Sequence, residues 1–150
     1  VRPRHAPGAF SGEGARLYGG RWNSTGTPII YTAGSRALAA LEILIHVEIP
    51  PLLEEYLCFP VRFQHRYLSS LDRNQLPPDW RRIPFGANTQ SIGDAWVQQR
   101  TSAVLEVPSV PVPGESNYLI NPAHPDFENL DIGAPEPFDF DPRISALLER

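Results

Sequence analysis

Apolar residues stand at positions 37, 38, 41, 44 and 45, and Ser35 precedes them after Gly34. Spacings of three and four predict an amphipathic helix over residues 36–46 with Ser35 as its N-cap. Glu42 breaks that pattern: four residues after Leu38 and three before Ile45, it points along or beside the apolar stripe. An ionised carboxylate there costs roughly several kcal/mol unless it is paired or serves a site. A structural explanation is an ion pair with Arg21, Arg36 or His46, the last one helical turn away.

Elsewhere the pattern is that of short strands. Residues 28–31 read as a strand in which Tyr31 shares a face with Ile29, and residues 56–63 and 104–107 read as two more. Prolines at 108, 111 and 113 forbid a central ladder beyond the last of these, which leaves Ser109 at a strand end. Residues 117–121 form a further strand with Asn117, Leu119 and Asn121 on one face; two asparagines there need partners in a cleft or water at an edge. The run from Asn121 to Pro125 closes it as a rigid turn. Pro50-Pro51 ends the Glu42 helix region, residues 76–87 read as a loop, Ser91 caps a helix to about Arg100, and residues 135–143 alternate as an edge strand. Helices and short strands together predict a small α+β domain with a polar cleft.

The 150 residues suit one domain, with 41% apolar residues and three tryptophans for a core and 17 prolines for loops. A net charge of −4 argues against a direct nucleic-acid partner, since phosphates demand a basic face. Cys58 is the single cysteine, so no intramolecular disulfide forms, and nothing resembles a signal peptide or membrane span. The cytoplasm is the expected compartment, and no membrane partner is expected.

Candidate chemistry centres on Arg21, Tyr31, Glu42 and Ser109. Arg21 follows Gly19-Gly20, where the backbone turns tightly and a ligand approaches closely, and its planar fork suits a diphosphate. Three rival chemistries use other groups. A metal site would draw on His46, His65, His124 and Cys58, whose spacing matches no compact zinc pattern. A serine hydrolase would use Ser109, His124 and Asp126, without a Gly-x-Ser-x-Gly elbow. A glycosidase would pair Glu42 with Glu106 or Asp94. No Gly-x-Gly-x-x-Gly follows a strand, so a dinucleotide would not bind in the Rossmann manner.

Gly12-Glu13-Gly14-Ala15, the segments 19–23 and 31–33, Ala40 to His46, Val107-Pro108-Ser109 and Asn117 to Pro122 resemble, in order and spacing, the RES domain, over nearly the whole chain. That family is named for an arginine, a glutamate and a serine, which fall here on Arg21, Glu42 and Ser109. The resemblance implies an ADP-ribosyltransferase-like α+β fold, with small mixed or antiparallel sheets around a central cleft. It also implies a toxin of a bacterial toxin–antitoxin pair that attacks NAD, transferring ADP-ribose to a host protein or to water or phosphate. By the same resemblance Arg21 would hold the diphosphate, Tyr31 would stack on or flank the nicotinamide, and Glu42 would stabilise the cationic sugar. Ser109 would fix the ribose or carboxamide, Asn117 or Asn121 would orient Glu42 or the substrate, and His46 would support Glu42 from one turn away. The implied partner is an Xre-type helix-turn-helix antitoxin. Family members usually open with a strand carrying an additional arginine; this chain starts at Val1, so that strand is expected to precede it, with Arg2 and Arg4 as candidates for the second phosphate-binding arginine. The alternative to catalysis is a module whose cleft only docks a peptide.

Overall fold

The computed structural model describes residues 1–46 and 55–148. Its centre is a four-stranded mixed sheet made of β1 (Ile30–Ala33), β4 (Leu68–Ser70), β5 (Val104–Pro108) and β6 (Ser116–Ile120), in the order β1-β6-β5-β4. Only the β4–β5 pair is parallel. Two small antiparallel sheets accompany it: β2 (Tyr56–Cys58) with β8 (Glu136–Phe138), and β3 (Val61–Arg62) with β7 (Asp131–Ile132). The helices are α1 (Glu13–Tyr18), α2 (Arg36–Leu44), α3 (Ala87–Gln99) and α4 (Pro142–Leu148). This is the expected α+β class, and among the described residues no helix is long and apolar enough to cross a membrane.

Both faces of the central sheet carry buried apolar residues. Ile29, Leu105, Val107 and Leu119 pack on one face with Trp22 and Trp96, and α3 covers them. Ile30, Val104 and Ile120 pack on the other with Tyr67, Ala103 and Leu130. Fully burying such a side chain contributes about 1.5–3 kcal/mol each. Because β6 pairs Leu119 with Tyr31 and with Leu105, and Asn117 with Ala33 and with Val107, Tyr31 and Asn117 share the α3 face.

Local chemistry moves several boundaries from their expected places. The first strand covers residues 30–33, so Tyr31 lies inside it. Helix α2 has the predicted cap, Leu38 N–H donating to Ser35 Oγ at 3.1 Å, but ends at Leu44; Pro50-Pro51 lies outside the described residues. The run 56–63 divides into β2 and β3 at Phe59-Pro60, where Pro60 lacks an N–H for a ladder and its carbonyl accepts Gly133 N–H at 2.8 Å. Ser91 does not cap α3: the helix starts at Ala87, and the Ser91 hydroxyl donates back to the Ala87 carbonyl at 2.8 Å. The edge strand expected over 135–143 keeps only three residues, because Asp141 accepts Arg143 N–H at 2.9 Å and Pro142 opens α4.

Helix α3 meets the segment after α1 at Gly93, where a Cβ would stand 1.7 Å from the Trp22 carbonyl oxygen and 2.8 Å from its carbonyl carbon. Backbone cannot yield as a flexible side chain does. Gly93→Ala is therefore expected to cost about 3 kcal/mol or more, and thermal melting should fall by roughly 6–12 °C. A variant that melts within a degree or two of the parent would show that α3 does not dock here this closely.

Candidate active site

The arginine turn is built around one buried amide. Asn23 is 0% exposed, and its Nδ2 donates to the carbonyls of Ala15 (2.8 Å), Ser24 (3.1 Å) and Thr27 (3.0 Å). Its Oδ1 accepts the Tyr31 hydroxyl at 2.7 Å, and that hydroxyl accepts Trp22 N–H at 3.0 Å. Gly20 makes the approach possible, since a Cβ there would lie 2.6 Å from the phenolic oxygen. Helix α3 holds the same turn from the other side. Gln90 Nε2 donates to the carbonyls of Gly20 (3.2 Å) and Asn23 (3.1 Å), and Asp94 accepts both the backbone N–H (3.0 Å) and hydroxyl (2.5 Å) of Ser24. Arg21 therefore projects from a segment whose neighbours on both sides are fixed.

Tyr31 is 42% exposed as a residue, while its hydroxyl is engaged on both sides by Trp22 N–H and Asn23 Oδ1. Burial drives the phenol pKa well above its ordinary value, opposed by the Trp22 N–H bond, reinforced by Asp94 and opposed by Arg21. Arg21 is half-buried, and its Nη1 donates to the carbonyls of Trp80 (2.6 Å) and Arg82 (3.1 Å). Desolvation lowers its pKa, while Glu42 and Tyr31 raise it. Arg21, Tyr31 and Glu42 thus share one electrostatic neighbourhood.

Glu42 reaches the site from α2. Its Oε1 accepts Asn117 Nδ2 at 2.6 Å, across from the β5–β6 hairpin. Among the described residues no cation lies within 4.0 Å of this carboxylate: Arg36 pairs instead with Glu136, and His46 donates Nδ1 to the Glu42 backbone carbonyl at 2.7 Å. His46 therefore supports the helix end and not the carboxylate, a correction to the role expected for it. Among the described residues Asn117 Oδ1 is buried without a partner. A cavity of about 210 Å³, lined by Gly8, Gly12, Glu13, Ala15, Ile29 and Tyr31, opens beside the tyrosine.

Ser109 is 1% exposed, at the end of β5 as expected, and its Oγ accepts Val112 N–H at 3.2 Å. Asn121 is a correction to the expectation that it could orient Glu42: it is fully buried, its Nδ2 donating to Val97 carbonyl at 3.5 Å and its Oδ1 accepting Ala123 N–H at 3.0 Å. It fastens the end of β6 to α3. Arg4 Nε donates to His5 Nε2 at 3.0 Å in the turn Pro3–Gly8. Sequence reasoning missed Asn23 and Gln90, and considered Asp94 only as a partner of Glu42, not as the acceptor that holds Ser24; Asn23 after Arg21-Trp22 at the end of a double-glycine turn was a signal in view.

The rival constellations do not assemble. His124 caps a turn, accepting Asp126 N–H on Nδ1 and donating Nε2 to the Arg100 carbonyl at 3.1 Å, so it is not a base for Ser109. Glu106 pairs with Tyr118 on the sheet face opposite Asn117, and its carboxylate accepts Ser70 Oγ at 2.7 Å. Asp94 is engaged by Ser24. Neither acid stands with Glu42. Among the described residues no group of three or more metal-ligating side chains could hold an ion.

Tyr31→Phe would leave Trp22 N–H and Asn23 Oδ1 unpaired, at a cost of about 1–3 kcal/mol near neutral pH. A phenol whose folded pKa is raised contributes stability that is complete below its unfolded pKa of about 10 and is lost as pH rises beyond it. The gap in melting temperature between parent and Tyr31→Phe should therefore narrow above about pH 10. A gap that stays constant from pH 8 to 11 would contradict this enclosure of the hydroxyl.

Comparison with known proteins agrees with this architecture. The RES domain matches residues 1–141. A protein named Toxin Res from Yersinia enterocolitica is 39% identical over 145 residues, covering 96% of this chain and 95% of that protein. The Prs ADP-ribosylating toxin of a Sphingobium species is 41% identical over 139 residues, covering 90% of this chain and 86% of that protein. A chain of the M. tuberculosis MbcT–MbcA toxin–antitoxin complex superposes with a TM-score of 0.68 at 21% identity, over 91% of this chain and 80% of that one, a likeness of fold. With a family match over 141 of its 150 residues and these relatives spanning nearly its full length, the chain belongs to the RES domain family.

Proposed function

We propose that this chain is the toxin of a toxin–antitoxin pair and that it breaks the nicotinamide–ribose bond of NAD, passing ADP-ribose to a protein side chain, water or phosphate. The observation that carries this reading is the Glu42 carboxylate, held by the Asn117 amide, free of an ion pair among the described residues, and within the field of Arg21. The names of its relatives support it, above all that of the Prs ADP-ribosylating toxin.

Nicotinamide leaves with the electron pair of the glycosidic bond, and positive charge develops at C1′ of the ribose. A fixed carboxylate stabilises that charge most where water is excluded and no cation already neutralises it. Asn117 holds Glu42 without cancelling its charge. Arg21 has given both Nη1 hydrogens to the 80–85 loop, and keeps its Nε–Nη2 edge, the bidentate edge, for a phosphate. The enclosed Tyr31 hydroxyl leaves the ring as the part that meets nicotinamide. Ser109, buried and bound into its turn by Val112 N–H, acts on the ribose only through the position of that turn and not by its hydroxyl. The acceptor then forms the new bond to C1′ with its own lone pair and gives up a proton.

An inhibitory antitoxin that covers the cleft is the partner we propose, of the Xre helix-turn-helix type; the MbcT–MbcA complex is the structural likeness behind this. The chain is proposed to work in the cytoplasm, where NAD is at hand. A purely peptide-binding module is the second reading, and turnover separates the two.

Glu42→Gln keeps an acceptor for Asn117 and removes the charge. Nicotinamide release from NAD should fall about 10²- to 10³-fold, on the order of 3–4 kcal/mol of transition-state stabilisation, with melting unchanged. A stable Glu42→Gln protein with near-parental turnover would sink the mechanism. No nicotinamide and no labelled protein from the parent chain, with NAD and cell extract present, would leave the binding module standing.

A further inference from the structure

Helix α3 and the loop that leads into it hold Arg21 at both of its ends. At the base, Gly20-Arg21-Trp22-Asn23 is a tight turn closed by a reciprocal bridge: Gly20 N–H donates to the Asn23 carbonyl at 2.9 Å and Asn23 N–H to the Gly20 carbonyl at 3.4 Å. Each of those carbonyls keeps a second lone pair, and the hydrogens of Gln90 Nε2 take them, at 3.2 Å for Gly20 and 3.1 Å for Asn23. Gln90 is half-buried, on the first turn of α3. At the tip, Arg21 Nη1 donates to the carbonyls of Trp80 and Arg82, and the guanidinium lies 5.9 Å from the Phe85 ring centre. That loop runs directly into α3: Gly86 is the N-cap residue, its carbonyl accepts Thr89 Oγ1 at 3.1 Å, and Asp79 accepts Asn88 Nδ2 at 3.4 Å. The base and the tip of one side chain are thus tied to one helix.

A long side chain loses rotamer freedom when it engages a ligand, and it loses less where its two ends are already fixed. Tyr31 holds the Asn23 amide and Trp22 N–H, and Asp94 holds Ser24, all at or after the tip of the turn. The bonds of Gln90 span its mouth instead, one on either side of Arg21-Trp22, and set where the base of Arg21 lies relative to the carbonyls that hold its tip. We infer that Gln90 is a positioning residue for Arg21: its amide sets the turn so that the guanidinium, anchored through Nη1, presents its Nε–Nη2 edge to a phosphate. Gln90 acts through Arg21 and not on the substrate, and the inference rests on the NAD reading above.

Gln90→Met keeps the length of the side chain and removes both N–H donors, while the bridge carbonyls keep each other's N–H. Calorimetric titration with ADP-ribose should show binding weakened about tenfold, the effect of spoiling one hydrogen bond to a charged group. KM for NAD should rise by a similar factor while kcat stays within about twofold, as for an interaction made equally in ground and transition states. The deciding readout is the cycle with Arg21→Ala: once the guanidinium is gone, adding Gln90→Met should change ADP-ribose affinity no further. A Gln90 that only stabilises the fold would give the same loss in both backgrounds, or a lower kcat at parental KM through a smaller folded fraction, and either result overturns the assignment. Parental ADP-ribose affinity in Gln90→Met, while the parent cleaves NAD, overturns it too and leaves the NAD reading intact. If Gln90→Met does not fold, Gln90→Asn, whose amide falls one methylene short of the carbonyls, carries the same cycle. A parent chain that neither binds ADP-ribose nor releases nicotinamide overturns both.

Discussion

The bond between the Tyr31 hydroxyl and Asn23 Oδ1 is the interaction on which the rest of the site depends. It joins the central sheet, through β1, to the double-glycine turn that carries Arg21. Asn23 uses Nδ2 on three carbonyls and Oδ1 on the phenol, so the buried amide is fully satisfied. A buried polar group of this kind specifies one arrangement, because any alternative leaves donors or acceptors without water or partners. Gly20 and Gly93 are consequences of the same closeness: the first admits the phenol and the second admits the Trp22 carbonyl.

Cationic groups in the site follow a different logic from the amide. Arg21 is partly desolvated, which opposes its charge, and the loop carbonyls of Trp80 and Arg82 replace some of the lost water without neutralising it. A carboxylate in their place would have satisfied the guanidinium and ended its capacity to bind an anion. Surface pairs elsewhere, Arg16 with Glu13 and Arg143 with Asp141, show the opposite choice, two exposed charges matched to each other at small gain. The site keeps its charges unmatched.

Local rules made the α2 cap, the β5 and β6 strands and the shared face of Tyr31 and Ile29 legible, because each depends on residues adjacent in the chain. Glu42 stood out for the same reason, as a carboxylate within an apolar helical pattern. What could not be read was what depends on distant segments. Asn117 as the partner of Glu42 required the pairing of β6 with β1, and Asn117 and Asn121 look alike in a strand pattern although one meets α2 and the other α3. The 80–85 loop carries no periodicity, and only the fold brings it to Arg21. Ser91 misled because a serine hydroxyl bonds equally to a helix's own carbonyl four residues back.

Glu42 decides between a packing site and a chemical one. A carboxylate serving stability would be paired with a cation, and the nearby Arg36 is paired elsewhere. Its one described hydrogen bond comes from a neutral amide whose own carbonyl oxygen is left buried and unpaired. Such an acceptor costs about 1–3 kcal/mol, a penalty that a core selected for stability alone removes. Turning the amide round would place one oxygen against another, so the charge of Glu42 itself dictates the orientation that leaves Asn117 Oδ1 unsatisfied. The polar pair is therefore arranged to fix the direction of a carboxylate at the expense of the amide, and under the proposed function a negative charge held at that point is what would stabilise positive charge developing on a sugar.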